Sequence, residues 1–297
     1  MTPTADQVLG CLLAGALGDA LGVPYEGKPC PQAVEWPREL RVSDDTQLTL
    51  ATCEAMVASQ GRVDPAAIAE SMTRWFEASR LTGLGASTYK ALSELAVGGH
   101  WAVVGRKGDM AAGSGAAMRI APLAFVLDPT DFDDRTVIRD VCRITHHSDE
   151  AYVGALAVTL AIRLAWTGVW AGGTSLLDDL IPHLPDSRVR ERLVEICSEG
   201  RDLALQDVAR RWGASGYVVE SVPLALVGAA QVQLTGLQGT LESLVRCGGD
   251  TDTVASMAGQ VMGALLGAKQ LPEELVARLE AVEPIRDSAF RLARAIQ

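Results

Sequence analysis

Two short stretches of the chain place carboxylates and hydroxyls side by side. Residues 43–46 read SDDT and residues 250–253 read DTDT. Each offers two carboxylates and a hydroxyl within a few positions, Ser43 with Asp44 and Asp45 in the first and Asp250 with Asp252 and Thr253 in the second. An all-oxygen donor set of this kind suits a hard octahedral cation such as Mg²⁺ or Mn²⁺ far better than zinc. Each stretch also has a purely local explanation. Ser43 is a good helix N-cap, and Asp44 and Asp45 in a first helical turn complement the helix dipole. Asp250 or Thr251 can cap a helix beginning near Asp252 in the same way. The pair of stretches carries more weight than either alone. Four carboxylates brought together would repel one another, and two bound cations would neutralise them.

Three further segments hold polar groups that chemistry can use. Glu26, in GVPYEG, is by itself an ordinary loop acid. In AGSGAAMR (112–119), Gly113, Ser114 and Gly115 permit close backbone approach, and the free N–H groups of a helix starting there suit a pyrophosphate. The competing reading is a plain loop with a serine cap. His146 lies in THHSDEA at the junction of two helical patterns, where a histidine is most often a structural hydrogen-bonder.

The elements that must position these residues are helical nearly throughout. Apolar residues recur at helical spacing and no sustained strand-type alternation occurs, so the expected fold class is all-α. Thr4 and Gln7 form a capping box that opens a first helix, expected to run to about Leu21 before Gly22 and Pro24. Further helices are expected at 44–59, 65–79, 84–97, 115–127, 134–145, 149–169, 187–198, 202–212, 220–235, 239–247, 252–268 and 273–296. The stretch 23–42 holds four prolines and reads as a long loop. Gly10, Ala14, Gly18 and Gly22 repeat at four-residue spacing, as do Gly259, Gly263 and Gly267, which gives two helices one face of very small residues each. Such faces let helix backbones approach closely. With no linker, repeat or low-complexity segment, the 297 residues are expected to form one domain, 1–297.

Composition narrows the functional classes. The chain is 48% hydrophobic and 21% charged, as a globular protein is. A net charge of −11 with no basic run argues against nucleic-acid and anionic-membrane partners. An anionic small molecule stays compatible if cations supply local positive charge. The six cysteines show no CxxC pair and read as reduced, mostly buried thiols. The apolar N-terminal run is preceded by Asp6 and no basic residue, so it does not read as a signal peptide. The apolar stretch 151–172 carries Arg163 and reads as a core helix. A cytoplasmic location is expected.

Taken in order, GALGDALGVPYEG (15–27), SDDTQLTL (43–50), GSGAAMRIAPLA (113–124), THHSDEA (145–151), ESVPLAL (220–226) and GGDTDTVASMAGQVMGALLGA (248–268) resemble the ADP-ribosylglycohydrolase family, which includes the dinitrogenase reductase-activating glycohydrolase. The resemblance implies an all-helical domain with two Mg²⁺ or Mn²⁺ ions at the floor of a cleft, hydrolysing the bond between ADP-ribose and its acceptor. By it, the metal ligands fall on Ser43, Asp44, Asp45, Asp250, Asp252 and Thr253. Ser43 stands where the family more often has Thr, and the hydroxyl is kept. Glu26 becomes the candidate for positioning or deprotonating water, with Asp45 and Asp252 beside it in catalysis. Gly113, Ser114, Gly115 and His146 fall on substrate-binding positions, Ser114 replacing a common Asn. Glu220 and Ser221 match a position near the cleft with no assigned role. The implied partners are ADP-ribose, an ADP-ribosylated protein or small molecule, and an opposing ADP-ribosyltransferase. A small-metabolite hydrolase, a non-catalytic ADP-ribose binder and an immunity protein acting by occlusion remain open alternatives.

Overall fold

The structure, a computed structural model, describes residues 2–199 and 203–297. Fourteen α-helices account for most of the described residues. They are α1 (Ala5–Gly22), α2 (Asp44–Ala58), α3 (Pro65–Glu77), α4 (Ala86–Ala96), α5 (Phe132–Arg143), α6 (Asp149–Thr167), α7 (Leu176–Leu180), α8 (Arg188–Glu199), α9 (Leu205–Trp212), α10 (Val218–Ala230), α11 (Val232–Val245), α12 (Thr251–Leu266), α13 (Glu273–Val276) and α14 (Val282–Ala295). The described strand structure is one parallel pair of two-residue strands, Arg106–Lys107 against His146–His147.

The expected capping box is present: Thr4 Oγ1 accepts from Gln7 N, and the Gln7 side chain accepts from Thr4 N. From there α1 runs antiparallel to α12 through the centre of the molecule, each helix buried along nearly its whole length. The small-residue stripes explain how. A Cβ on Gly10 would lie 2.5 Å from Gly263 O, and one on Gly18, Gly22, Gly259 or Gly263 would overlap the backbone of the opposite helix. The two backbones therefore touch without side chains between them. By length and hydropathy Ala5–Tyr25 would suit a membrane span, yet most of it is buried inside the fold. Helices α6, α10 and α11 pack on α12, α14 packs on α1 and α2, and α3 packs on α2, all around one apolar core.

Three expectations about elements need correction. The helix foreseen over 115–127 is two short 3₁₀ turns, Ser114–Ala116 and Ala121–Phe125. Pro122 has no N–H to donate to the carbonyl of Met118, which accepts from Gln260 Nε2 instead, and the run breaks there. The helix foreseen over 273–296 is α13 and α14, separated where Leu40 N donates to Arg278 O and Glu280 N donates to Leu40 O. Of the helices foreseen over 220–235 and 239–247, the first ends early at Ala230 and α11 begins at Val232, while the break foreseen between them is present as the kink at Gly236, whose φ is 68°. The helix foreseen over 202–212 is seen as α9, its expected first residue lying outside the described residues. Of the cysteines, Cys11, Cys53, Cys142 and Cys247 are buried, Cys197 is partly buried and Cys30 is exposed.

Candidate active site and metal centre

The N-terminus of α2 is held by an aspartate of α1 that lies outside both acidic stretches. Asp19, near the end of α1, is fully buried. Its carboxylate accepts hydrogen bonds from Ser43 N (3.0 and 3.1 Å), Ser43 Oγ (2.8 Å), Thr46 N (3.1 Å) and Thr46 Oγ1 (2.5 Å). The N–H groups of the N-cap Ser43 and of Thr46, in the first turn, are thereby satisfied by a residue from another helix. Ser43 also caps α2 as expected, accepting from Asp45 N at 3.4 Å. The sequence signal for Asp19 was an acid inside a run of small apolar residues, which cannot be buried without partners.

At the start of α12 the N-cap residue is Asp250, but its side chain makes no capping bond. The carboxylate instead accepts from Ser114 Oγ at 3.2 Å. Asp252 Oδ1 accepts from Thr253 N at 2.9 Å, and Thr253 Oγ1 donates to Asp45 Oδ2 at 3.2 Å. That last bond joins the two acidic stretches directly. One oxygen each from Asp19, Asp45 and Asp252 lies within 4.8 Å of the others, and the same holds for Glu26, Asp250 and Asp252. Asp252 is shared by the two triads. Asp44 belongs to neither, though it lines the same cleft.

The electrostatics of the cluster are unfavourable to six negative charges. Burial raises the Asp44 carboxyl to about 7, with Asp19, Glu26 and Asp250 adding repulsion. Burial, then Asp250, Glu26 and Asp19, raises Asp252 to about 9. Asp45 is pushed well above the usual carboxylate range by burial and by Asp19 and Asp252. Asp19 and Asp250 are raised by burial against the hydrogen bonds they accept, and Glu26 by partial burial and Asp250. Asp45 Oδ1 is buried with no hydrogen-bond partner. A buried carboxylate oxygen without a partner, in an all-oxygen cluster, fits a hard divalent cation as the missing partner.

A cleft of about 460 Å³ opens over these carboxylates. Glu26 stands exposed at its edge, and Gly27 N donates to Gly249 O at 2.9 Å, tying the Glu26 loop to the second acidic stretch. Gly83, at φ 84°, approaches so closely that a Cβ there would sit 3.2 Å from Asp44 Oδ1. The opposite wall is the turn Gly113–Ser114–Gly115, with His146 behind it. Ser114 and Gly115 belong to a single 3₁₀ turn, Ser114–Ala116, with no α-helix starting there, so the helix-terminus argument for a pyrophosphate has no support here. The glycines serve another purpose: a Cβ on Gly115 would lie 2.8 Å from His146 Cε1, and one on Gly113 would lie 3.2 Å from His146 Nε2. Burial, with Arg119, Arg106 and His147 nearby, lowers the His146 imidazole to about 3. His146 is neutral at ordinary pH and poorly suited to be a base. Glu220 gains a physical role, since its Oε2 accepts from Ser215 N (3.0 Å) and Ser215 Oγ (2.6 Å) and braces the loop that forms the cleft wall at Ser215 and Gly216.

The structure thus brings every expected site residue to one region: Ser43, Asp44 and Asp45 on α2, Asp250, Asp252 and Thr253 at α12, and Glu26, Gly113, Ser114, Gly115 and His146 around them. Comparison with known proteins agrees in sequence and fold. The family model for ADP-ribosylglycohydrolase matches residues 1–297. The ADP-ribosylhydrolase ARH3 of Xenopus tropicalis is 26% identical, over 92% of this chain and 90% of its own. The ADP-ribosylarginine hydrolase Tri1 of Pseudomonas putida (strain GB-1) is 26% identical, over 97% of this chain and 78% of its own. A solved structure titled ADP-ribosylglycohydrolase-related protein complex superposes with a TM-score of 0.76 at 25% identity, covering 99% of both chains. With its α1–α12 pair joining two acidic stretches beneath one cleft, this chain belongs to the ADP-ribosylglycohydrolase family.

Proposed function

We propose that this protein hydrolyses the glycosidic bond between ADP-ribose and its acceptor, an arginine or another guanidino group first among candidates, releasing ADP-ribose and reversing ADP-ribosylation. The observation that carries the reading is the meeting of two carboxylate triads, Asp19 with Asp45 and Asp252 and Glu26 with Asp250 and Asp252, at one cleft, with Asp45 Oδ1 unpartnered. Family membership supports the hydrolase class, and the names of two relatives supply the substrate class.

Ser43, Asp44, Asp45, Asp250, Asp252 and Thr253 would hold two Mg²⁺ or Mn²⁺ ions. Bound there, the ions would supply Lewis-acid activation of water and neutralise oxygens of the ligand. In the reaction, water adds to the anomeric carbon of the ribose, the bond to the acceptor breaks, and the acceptor leaves with a proton. Glu26 reaches the cleft from an exposed loop, and its raised carboxyl suits taking a proton from the attacking water. The carboxylates of Asp45 and Asp252 face the positive charge that develops on the ribose ring. Gly113, Ser114, Gly115 and His146 line the wall against which the rest of the ligand lies. The cleft volume falls within the range of about 300–1,000 Å³ common to small-molecule sites.

The test is release of free ADP-ribose from matched arginine-linked, serine-linked and small-molecule-linked substrates, with Mg²⁺, with Mn²⁺ and with EDTA. Metal-dependent release from the arginine-linked substrate is the expected result. Release only from another substrate would reassign the acceptor, and no release with ADP-ribose still bound would favour a binding protein.

A further inference from the structure

Arg119 is the largest charged side chain sealed in the core, fully buried and outside every ion pair among the described residues. Its Nη2 donates to Val141 O at 3.2 Å and to Thr145 Oγ1 at 2.9 Å, while Nε and Nη1 have no partner. An unpaired buried guanidinium is costly, so the bonds it does make call for an explanation. Thr145, also fully buried, lies between it and His146, with Thr145 Oγ1 at 2.8 Å from His146 Nδ1.

The direction of this chain of bonds follows from what each group can do. Guanidinium only donates, so Thr145 Oγ1 accepts from Arg119. The Thr145 hydroxyl hydrogen then has one acceptor within reach among the described residues, His146 Nδ1. Were Nδ1 protonated, two hydrogens would face each other and the hydroxyl would be orphaned in the core. The ring proton therefore belongs on Nε2. That nitrogen has no protein partner among the described residues, and it lies 3.2 Å from the positions a Cβ would take on both Gly113 and Gly115, in the wall of the cleft.

We propose that Arg119 and Thr145 are positioning residues that fix His146 in its Nε2–H tautomer, as a donor aimed at an acceptor oxygen of the ligand lying against the 113–115 turn. The ligand half of this proposal rests on the proposed function; the tautomer does not. Arg119 serves twice, because together with burial, Arg106 and His147 its charge keeps the imidazole from taking a second proton.

The chain has four histidines, so the ring nitrogens can be resolved by long-range ¹H–¹⁵N correlation spectroscopy on protein labelled with ¹⁵N-histidine. His146 should show a protonated Nε2 and a bare Nδ1 from about pH 8 to about pH 5, and ADP-ribose should shift the Nε2–H signal. Thr145→Val should yield a mixture of tautomers and weaken ADP-ribose binding about 2- to 10-fold, the worth of one net hydrogen bond. Thr145→Ser should restore both, which separates positioning from packing. An Nδ1–H tautomer, an imidazolium at neutral pH, or an unchanged tautomer in Thr145→Val would overturn the relay. An Nε2–H signal that ADP-ribose leaves unmoved would overturn the ligand role of His146 and count against the reading of the cleft. Absent turnover with the expected tautomer and the expected ADP-ribose shift would count against the hydrolase alone.

Discussion

Gly22 packs directly against the backbone of Asp252, so closely that a methyl group on Gly22 would overlap Asp252 N and Cα. The last residue of α1 thus sets where the acidic end of α12 lies, and Asp19, one turn earlier on α1, holds the acidic end of α2. Two stretches about 200 residues apart meet because one glycine-faced helix touches both. Gly22→Ala or Gly18→Ala should force α1 and α12 apart, lowering stability by at least about 1–3 kcal/mol, as overpacked cores do. Gly85→Ala, at a position with open space around it, should leave stability unchanged. Chemical denaturation of the three variants checks the contrast.

Asp252 is shared by both carboxylate triads, so its charge should matter more to the reaction than to the fold. Asp252→Asn should reduce ADP-ribose release by more than the roughly 10- to 100-fold typical of losing an outer partner of a metal ligand. The same variant should be about as stable as the parent in EDTA at neutral pH, where the raised Asp252 carboxyl already holds a proton, and more stable above about pH 9, where the parent would carry a repulsive charge. Asp252→Ala should likewise abolish release and still fold. Full activity in either variant would remove Asp252 from the centre.

Glu26 is exposed at the cleft edge and contributes an oxygen to the second triad. Glu26→Gln should lower the release rate by about 10²- to 10⁴-fold, the span of a general base. Binding of Mn²⁺ and ADP-ribose should persist. If titration shows that Mn²⁺ binding is lost instead, Glu26 is a ligand and the proton acceptor lies elsewhere.

The raised carboxyls fix the sign of a pH effect. Asp44 at about 7 and Asp252 at about 9 both lie above their unfolded value of 3.8, so in EDTA the native state holds protons that the unfolded chain releases. Stability contributed by these groups is present at low pH and is lost as pH rises through the folded values. The melting temperature in EDTA should fall from about pH 5.5 to about pH 8. Added Mg²⁺ should raise it by an increment that grows with pH, because cations and protons compete for the same oxygens. A melting temperature in EDTA that rises across this interval would contradict the buried-cluster electrostatics.

The acidic stretches were legible because their residues sit together in sequence, and the glycine stripes because helical spacing is local. Their meeting was not, since the Thr253–Asp45 bond spans the chain. The roles of Asp19 and Arg119 were not legible for the same reason: their hydrogen-bond partners lie more than 20 residues away. Glu26 stood out only through the family resemblance. The helix foreseen at 115–127 failed at Pro122, a local signal outweighed by apolar spacing, whereas the break between α13 and α14 depends on Leu40, which no local pattern reveals.

If the two acidic stretches form one cation centre that drives hydrolysis, cation occupancy and turnover rise together. The direct measurement follows bound Mn²⁺ by electron paramagnetic resonance while ADP-ribose release from an arginine-linked substrate is recorded on the same samples. Two coupled Mn²⁺ ions per chain are expected, with release that rises with their occupancy and loss of both in Asp252→Asn. Release at full rate in EDTA, with no Mn²⁺ bound, would contradict cation-driven hydrolysis.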